Sequence, residues 1–383
     1  MTRVLYIGDP TSVHDIKWVS FFSLRPDFEV FFLVQETELK LISSERRKKL
    51  NELNIQIEGP IKSYSLWRFW DNRASLRTIR KVIRERKIDI VHTLFATPFA
   101  LWTPYLEVPS VITTRGSDVL VVLSSLQHNS GLRAVHSRLL LSKFRSAFLK
   151  SGAITCTSQG QLDRINELFG SNIPAKIIRT GVNVDAIAEL EPALKLPSIF
   201  HGKKIIFLPR YMQPIYRTEL QLEAISELPT ELRSQVALIL IRGSRANKSY
   251  HDRIEQLLQR CGVPFHIFDS LTQAEMWSAF KLSALAIMTP KTDGTPNSAL
   301  EAMAARCPLV LGNFGYDEDL FSERFCLRMS TDSSSELCAI IDTALTEYPA
   351  EKLEQAFMNV SEKGNRPTEM QKLLQTYSAL LQG

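Results

Sequence analysis

The sequence predicts an α/β protein with two doubly wound parallel-sheet domains that face a cleft. Short apolar runs typical of buried parallel strands alternate with helical patterns through both halves of the chain. A length of 383 residues is ample for two domains, each with its own core. Residues 284–312 read as strand, tight loop, helix and strand, which is the repeating unit of such a sheet.

The composition is that of an ordinary globular protein, with 44% hydrophobic and 23% charged residues. The chain begins with a predicted strand rather than a secretory leader, and no apolar run approaches the roughly 20 residues that span a bilayer. The five cysteines are odd in number and lack metal-ligand spacing. Reduced core thiols in the cytoplasm are therefore expected.

Positive charge is concentrated in residues 44–87, which hold thirteen Lys and Arg against five Asp and Glu in a chain of net charge +5. Trp67, Phe69 and Trp70 interleave with these cations. Three interpretations stay open: a solvated face, nucleic-acid binding and contact with an anionic membrane surface. Of the two binding interpretations we favour the membrane and expect no nucleic acid, since the cations lie on a helix within an α/β pattern. A second basic amphipathic helix, predicted over 128–150, points the same way.

The first domain is predicted to contain strands within residues 3–8, 29–34, 89–92, 108–113, 153–158 and 176–185. Gly8 ends the first strand, where a glycine lets the backbone approach a ligand, although an ordinary strand-to-helix turn explains it equally well. Thr11 or Ser12 is expected to begin the next helix. That helix carries His14, which is read either as a substrate contact or as a structural residue.

The second domain is predicted to follow a proline-interrupted linker at about residues 189–200. Its strands are expected within residues 203–211, 236–241, 265–268, 285–288 and 309–311, and an amphipathic helix at about 368–381 ends the chain. The predicted division is therefore 1–188 with the C-terminal helix 366–383 for one domain, and 189–365 for the other.

The loop after the strand at 285–288 has the features of an anion site. Asp293 and Gly294 make a turn, Thr295 suits a helix N-cap and Pro296 the first helical position. A helix that starts at the carboxyl end of a parallel strand presents free N–H groups and a positive dipole end. The pattern therefore predicts a site for an anion such as phosphate.

The polar residues of that helix share one face, because Asn297, Ser298 and Glu301 stand at i, i+1 and i+4. A carboxylate among alanines on a mostly buried helix needs a hydrogen-bond partner, which sugar hydroxyls would supply. The alternative is a solvated Glu301 on an exposed helix flank.

The stretch "DGTPNSALEAMA" resembles the donor-site signature of retaining glycosyltransferase family four, the glycosyl transferases group 1, which have the GT-B fold. In that family the first of two acidic residues contacts the transferred sugar, and the second contacts the ribose of the nucleotide. Asp293 takes the first position, where Glu is usual, and Glu301 takes the second, with seven residues between them. The resemblance implies an acceptor-binding N-terminal domain and a donor-binding C-terminal domain across an interdomain cleft, with the C-terminal helix crossing back to the first.

The resemblance also assigns roles outside this stretch. It implies that Arg210 grips the donor diphosphate, that Arg217 substitutes for a family Lys and that the loop at Gly8 faces the donor phosphates. Arg115 stands where the family commonly has His or Trp before a Gly-x-Asp sequence, so either it contacts phosphate or acceptor or the position is relaxed. Asp118 is then a cleft residue, or equally a helix cap.

The expected catalytic residues are Asp293, Arg210 and Glu301; the expected donor-binding residues are Gly8, Arg217, Gly294, Thr295, Pro296, Asn297, Ser298 and Glu301; the acceptor or cleft candidates are His14, Arg115 and Asp118. No metal or other cofactor is expected, since two cations and a helix start face the diphosphate and no Asp-x-Asp pair lies between strands.

The expected activity is transfer of a hexose or derivative from a UDP- or GDP-sugar to a glycan or glycolipid acceptor in cell-envelope polysaccharide synthesis, with retention. The enzyme would be cytoplasmic, at the inner face of the membrane. Two alternatives stay open. A non-catalytic GT-B paralogue acting as scaffold or partner is suggested by Arg115, Asp293 and the missing Lys. A GT-B sugar-nucleotide epimerase would need an acid/base pair that the sequence does not reveal.

Overall fold

The computed structural model describes residues 1–243 and 247–382. The chain divides into two compact units, Met1–Thr180 together with Glu369–Gly383, and Gly181–Thr368. The predicted boundary lay at residue 188 instead. It differs because Val182, Val184 and Ile187, which follow Thr180, pack into the core of the second unit.

The first unit contains alternating strands and helices, which in chain order are β1 (Thr2–Ile7), α1 (Val13–Ser23), β2 (Phe28–Gln35), α2 (Glu36–Leu41), α3 (Ser44–Glu52), β3 (Ile55–Ile61), α4 (Phe69–Glu85), β4 (Ile90–Thr93), β5 (Ser110–Thr113), α5 (Ser124–Gln127), α6 (Gly131–Lys150), β6 (Ala153–Cys156), α7 (Gln159–Phe169) and β7 (Ala175–Ile177). A 3₁₀ segment at Phe99–Tyr105 and a π-helical segment at Ser117–Leu123 flank β5.

The strands of the first unit form one parallel sheet in the order β3-β2-β1-β4-β5-β6-β7. Both faces of the sheet are covered, since Val4 and Tyr6 of β1 belong to one apolar cluster while Leu5 and Ile7 belong to another. Strands buried on both sides explain why their sequences are continuous apolar runs.

The second unit contains α8 (Val184–Glu189), β8 (Lys204–Tyr211), α9 (Thr218–Ser226), α10 (Thr230–Ser234), β9 (Val236–Ile241), α11 (Lys248–Cys261), β10 (Phe265–Phe268), α12 (Gln273–Leu282), β11 (Leu285–Met288), α13 (Asn297–Ala304), β12 (Leu309–Leu311), α14 (Glu318–Phe321), β13 (Leu327–Arg328), α15 (Ser334–Glu347) and α16 (Ala350–Lys363). Short 3₁₀ segments occur at Ser198–Phe200 and Pro214–Tyr216.

The strands of the second unit also form one parallel sheet, in the order β10-β9-β8-β11-β12-β13. In each unit the first strand lies in the middle of the sheet, and the order changes direction beside it. This is the doubly wound arrangement that the sequence predicted. Phe207 of β8 packs on the cluster that contains α13, whereas Ile206 and Leu208 pack on the opposite cluster.

The last helix, α17 (Arg366–Gln382), returns the chain to the first unit, as predicted, since Glu369–Gly383 belong to that unit. Its Tyr377 is buried, with its hydroxyl 3.1 Å from that of Tyr6 and 2.5 Å from His92 Nδ1. His92 Nε2 lies 2.6 Å from the hydroxyl of Thr113, which in turn lies 2.6 Å from that of Thr155. Burial lowers the pKa of His92 to about 3, so this network holds a neutral imidazole.

Candidate functional site

The strand order places a switch point in the second sheet between β8 and β11. These strands are neighbours, yet the chain leaves them toward opposite edges of the sheet. Arg210 lies near the carboxyl end of β8, and Asp293 lies in the loop that follows β11. Ligands of doubly wound proteins bind outside the carboxyl ends of strands at such a point, so this edge of the sheet is the candidate binding site.

Arg210 is the centre of a polar cluster at this edge. Its Nη2 lies 2.9 Å from Oδ2 of Asp293, and its Nη1 donates a hydrogen bond to the hydroxyl of Ser298 at 3.1 Å. The guanidinium also lies over the ring of Tyr216, 4.2 Å from the centroid. Burial opposes the charge of Arg210, but attraction to Asp293 and Tyr216 prevails and raises its pKa. The cluster therefore holds a permanent cation in place.

The carboxylate of Asp293 is only partly satisfied. Its Oδ1 accepts a hydrogen bond from the N–H of Gly294 at 2.8 Å. Oδ2 contacts Arg210 without hydrogen-bond geometry and accepts no other hydrogen bond from the residues that the structure describes. Burial raises the pKa of Asp293, while the charge of Arg210 and the Gly294 N–H oppose that rise. Asp293 thus retains an acceptor oxygen for a donor such as a hydroxyl group.

The helix start differs from its prediction by one residue. Pro296 is the N-cap rather than the first helical residue, and α13 begins at Asn297. Thr295 does not cap the helix, because its hydroxyl donates to Oδ2 of Asp317 at 3.3 Å. The first N–H groups of an α-helix have no partner within the helix, so α13 offers donors beside Arg210.

Glu301 lies one turn beyond Ser298 and is buried, with 6% of its surface exposed. This rules out the solvated alternative. Its Oε1 accepts a hydrogen bond from Nε2 of Gln273 at 3.3 Å, and its charge acts to raise the pKa of Arg366, which burial lowers. Sequence reasoning missed Gln273 and Arg366. The sequence did indicate a helix start at Gln273, because Thr272 and Glu275 form a capping box there. This helix follows a parallel strand, so its start lies at the edge of the sheet where ligands bind.

Tyr316 is another residue of the cluster that sequence reasoning missed. It is 6% exposed, and its hydroxyl has no hydrogen-bond partner within the described residues. Burial raises its pKa, and the nearby carboxylate of Asp293 adds to that rise. The only signal in the sequence was its position in the loop after β12, at the same edge of the sheet as the loop of Asp293.

Arg217 occupies a different place from the one predicted. Its backbone is left-handed, with a φ of 53°, and its Nε donates to the carbonyl of Thr289 at 2.7 Å. Its Nη2 donates to the carbonyl of Pro290 at 3.4 Å, and its Nη1 pairs with Asp332 at 2.6 Å. The guanidinium thus links the start of α9 to the end of β11 through protein partners. Its expected role as a direct diphosphate ligand stays a prediction.

Gly8 of the first unit lies against protein rather than an open surface. A Cβ at this position would come within 2.4 Å of Oδ2 of Asp15, a buried carboxylate that accepts the N–H of Asp9 at 2.9 Å. Asp15 also pairs with Nη1 of Arg115 at 2.7 Å. Burial raises the pKa of Asp15 and the charge of Arg115 opposes it. The glycine is therefore required by the Asp15 carboxylate, and Arg115 is held by an internal ion pair.

Asp118 is fully buried, and it does not act as the predicted helix cap. Oδ2 accepts the N–H of Ala96 at 2.8 Å, and Oδ1 accepts those of Arg115, Gly116 and Val119 at 3.0 to 3.1 Å. Burial raises its pKa, while these N–H groups oppose the rise. Asp118 therefore fixes the turn between β5 and the π-helical segment. His14 is exposed on α1, where it stays a candidate contact.

The structure thus brings together Arg210, Asp293, Gly294 and Ser298 in front of α13, with Glu301 one turn behind. A cation, the N-terminal N–H groups of a helix and two carboxylates can hold a ligand that carries both an anionic group and hydroxyls. Arg217 links the start of α9 to the end of β11, and the first-unit candidates Gly8, Arg115 and Asp118 share an internal network with Asp15.

Two family models match consecutive parts of the chain. Residues 31–186 match "Glycosyltransferase Family 4", and residues 195–359 match "Glycosyl transferases group 1". The second match includes Arg210, Asp293 and Glu301. No curated protein sequence matches the chain significantly.

Solved structures with low sequence identity share the fold over its whole length. A glycosyltransferase from Rickettsia africae has a TM-score of 0.76 at 16% identity, covering 99% of each chain. Anabaena HepE in complex with UDP has a TM-score of 0.75 at 15% identity, covering 99% of this chain and 100% of its own. A UDP-forming trehalose-phosphate synthase from Burkholderia xenovorans has a TM-score of 0.72 at 14% identity, covering 99% of each. Together the family matches and the two sheets show that this chain belongs to glycosyltransferase family four and has the GT-B fold.

Proposed function

We propose that the protein transfers a hexose or hexose derivative from a UDP- or GDP-sugar to a glycan or glycolipid acceptor in cell-envelope polysaccharide synthesis, with retention. The observation that carries the proposal is the cluster of Arg210, Asp293 and Ser298 in front of α13. The cluster combines a fixed cation with helix N–H groups, which suits a diphosphate.

Arg210 is proposed to bind the donor diphosphate and to stabilise it as it departs. Negative charge grows on the leaving nucleoside diphosphate when the bond to the sugar breaks. A guanidinium and helix N–H groups already aimed at that position stabilise the transition state without having to reorganise. Electrostatic stabilisation of this kind is usually the largest single contribution available to an enzyme.

The two carboxylates are proposed to orient the rest of the donor. Oδ2 of Asp293 accepts no hydrogen bond from the described residues, and it would accept one from a hydroxyl of the transferred sugar. Glu301 is buried and accepts a hydrogen bond from Gln273, and it would also accept hydrogen bonds from the ribose hydroxyls. Hydroxyl groups that donate to buried carboxylates discriminate strongly against ligands that lack them.

Retention would follow if the acceptor oxygen attacks the sugar from the face that the diphosphate leaves. The bond between the anomeric carbon and the diphosphate oxygen breaks, the acceptor oxygen bonds to that carbon, and the acceptor proton passes to the departing phosphate. Arg210 and the start of α13 supply the positive charge for this step, so we expect the reaction to proceed without a metal ion.

Similarity to known structures supports UDP-sugars as donors to test first. HepE has been solved with UDP and with UDP-glucose, and the trehalose-phosphate synthase is UDP-forming. We propose a cytoplasmic location, since the five cysteines are all free and such thiols persist where the medium is reducing. Among the helices that the structure describes, none is both long and apolar enough to cross a bilayer.

The experiment that tests this function incubates the protein with UDP- and GDP-sugars, with and without glycan and lipid-linked glycan acceptors. We expect free nucleotide to accumulate in step with a glycosylated acceptor, and EDTA to leave the rate unchanged. An isomerised sugar nucleotide would instead indicate the epimerase. Nucleotide binding without any turnover across the acceptors would indicate a scaffold, and both results contradict the proposed transfer.

A further inference from the structure

We infer that the first unit carries an amphipathic surface that binds anionic lipid bilayers. The surface comprises residues 67–77, which include the start of α4, and the helix α6; we call it the aromatic-basic surface. It lies within one compact unit and does not involve the cluster at Arg210. The inference therefore goes beyond the proposed reaction and can be tested separately from it.

Large aromatic side chains are exposed side by side in this surface. Trp67 is 74% exposed, Phe69 is 64% exposed and Trp70 is 75% exposed. The rings of Phe69 and Trp70 contact each other edge to face, with 5.5 Å between centroids. Folding normally buries such rings, and exposed apolar patches mark interaction sites. Tryptophan in particular is enriched at the boundary between lipid and water.

The backbone that presents these rings is fixed by specific contacts. The side chain of Asn72 donates to the carbonyl of Ser65 and accepts the N–H of the same residue at 3.1 Å. The preceding residue, Asp71, pairs with Nζ of Lys62 at 2.8 Å. These contacts fix the chain on both sides of the aromatic residues, so their position outside the core is a property of the fold.

Helix α6 extends the same surface. The ring of Trp67 stacks on that of His136, with 6.1 Å between centroids and 25° between planes. Val135 and Leu139, one turn apart on α6, are 55% and 48% exposed. Trp67 therefore links the segment at the start of α4 to α6, where aliphatic side chains are also exposed.

Most of the charged side chains of this surface are positive. Helix α6 contains five cations and no Asp or Glu, namely Arg133, Arg138, Lys143, Arg145 and Lys150. Arg73 and Arg77 are exposed on α4 beside the aromatic residues, and the acidic residue between them and the rings, Asp71, is already paired with Lys62. The surface is therefore complementary to an anionic partner.

An anionic bilayer fits both the charges and the apolar area. Rings and aliphatic side chains insert at the boundary of the acyl chains, while cations meet the phosphates of the headgroups. A nucleic acid would contact the cations but would leave Val135 and Leu139 in water. The surface thus matches a lipid interface better than a polynucleotide.

The test is co-sedimentation of the full-length protein with vesicles of phosphatidylcholine alone, and of phosphatidylcholine with phosphatidylglycerol. We expect binding to the second kind, weakened by added salt because exposed charges are screened. The double variant Trp67→Ala/Trp70→Ala should lose about tenfold or more in vesicle affinity. The control Ile199→Ala/Met358→Ala removes side chains that are 63% and 68% exposed in the second unit, and it should bind as the wild type does.

The charge contribution is tested with the double variant Arg138→Glu/Lys143→Glu on α6. The control is Arg253→Glu/Arg260→Glu, which reverses the charge of two exposed cations on α11. Only the first pair should weaken binding. Thermal unfolding and nucleotide release with a water-soluble acceptor should stay unchanged in all four variants, which separates this inference from the proposed reaction. Wild-type vesicle binding by the tryptophan variant, equal binding to neutral vesicles, or binding to oligonucleotides alone would overturn it.

Discussion

The guanidinium of Arg210 lies against the carboxylate of Asp293, with 2.9 Å between Nη2 and Oδ2. The two residues are distant in sequence and meet because β8 and β11 are neighbouring strands at the switch point of the second sheet. A guanidinium binds phosphate oxygens as well as carboxylates, so Arg210 is suited to a donor diphosphate. We regard this pair as the resting state of the proposed diphosphate site.

Replacing Arg210 should therefore remove transition-state stabilisation. Arg210→Ala is expected to lower kcat/KM by about 10²–10³-fold. Arg210→Lys should lie between, because it keeps the charge but loses the second N–H contact, the one to Ser298. The measurement is the rate of nucleotide release, with Arg253→Ala on α11 as a control for loss of an exposed arginine. A rate for Arg210→Ala within twofold of the wild type would remove Arg210 from the site.

Glu301 should govern recognition of the nucleotide. Glu301→Ala is expected to abolish measurable transfer, since the ribose loses its acceptor, while the thermal transition shows a folded protein. Gln273→Ala keeps the carboxylate but removes the hydrogen bond that Gln273 donates to it, so KM for the sugar nucleotide should rise about tenfold with little change in kcat. Gln259→Ala, an exposed glutamine of α11, is the matched control. Equal effects on kcat and KM in Gln273→Ala would argue against a positioning role.

Tyr316 offers a test that separates function from stability. Its buried hydroxyl has no partner in the described part of the chain, so Tyr316→Phe removes no hydrogen bond and should change the free energy of unfolding by less than about 0.5 kcal/mol. The same variant should lower kcat/KM about tenfold if the hydroxyl donates a hydrogen bond to the bound substrate. Denaturant unfolding and nucleotide release on the same preparation give both values. A fully active variant would exclude a contact between this hydroxyl and the substrate, and a destabilised variant would contradict the expected free energy of unfolding.

His92 should make the first unit sensitive to acid. Its pKa is lowered by burial to about 3, so between that value and the ordinary one near 6.5 the unfolded chain binds a proton that the folded chain does not. The stabilising contribution is thus complete above about pH 6.5 and is lost toward pH 3, by at most about 1.4 kcal/mol for each pH unit. His92→Gln should flatten the dependence of unfolding free energy on pH between about pH 7 and pH 5. The exposed His201→Gln should keep the wild-type slope, and parallel slopes for all three proteins would contradict this account.

The fold was largely readable from the sequence because apolar runs and helical spacing report burial directly. The strand at Leu285–Met288 was predicted to the residue, and the alternation of strands and helices gave the doubly wound class. Boundaries were missed where packing carries no local signal. Helix α4 begins at Phe69, and its exposed aromatic first turn lacks the buried apolar spacing that would mark this start in the sequence. Likewise, Val182 belongs to the second unit because of its packing, and the composition of the sequence does not change at this domain boundary.

The candidate site was readable only where its residues share one segment or one family signature. Asp293, Ser298 and Glu301 stand in a single strand-loop-helix stretch, and the structure keeps them together. The partners of Arg217 and Arg115 could not be foreseen, because Thr289, Asp332 and Asp15 reach them only through the folded sheets. Gln273 and Tyr316 were missed for the same reason, since each comes from the end of a different strand.

The central claim is that a nucleoside diphosphate binds in front of α13. A crystal structure of the protein with UDP tests it most directly. The account predicts that the pyrophosphate lies within hydrogen-bond distance of the Arg210 guanidinium and of the N–H groups of Asn297 or Ser298, with the ribose hydroxyls on Glu301. A nucleotide bound elsewhere, or an Arg210–Asp293 pair that stays closed while UDP occupies another part of the chain, would contradict it.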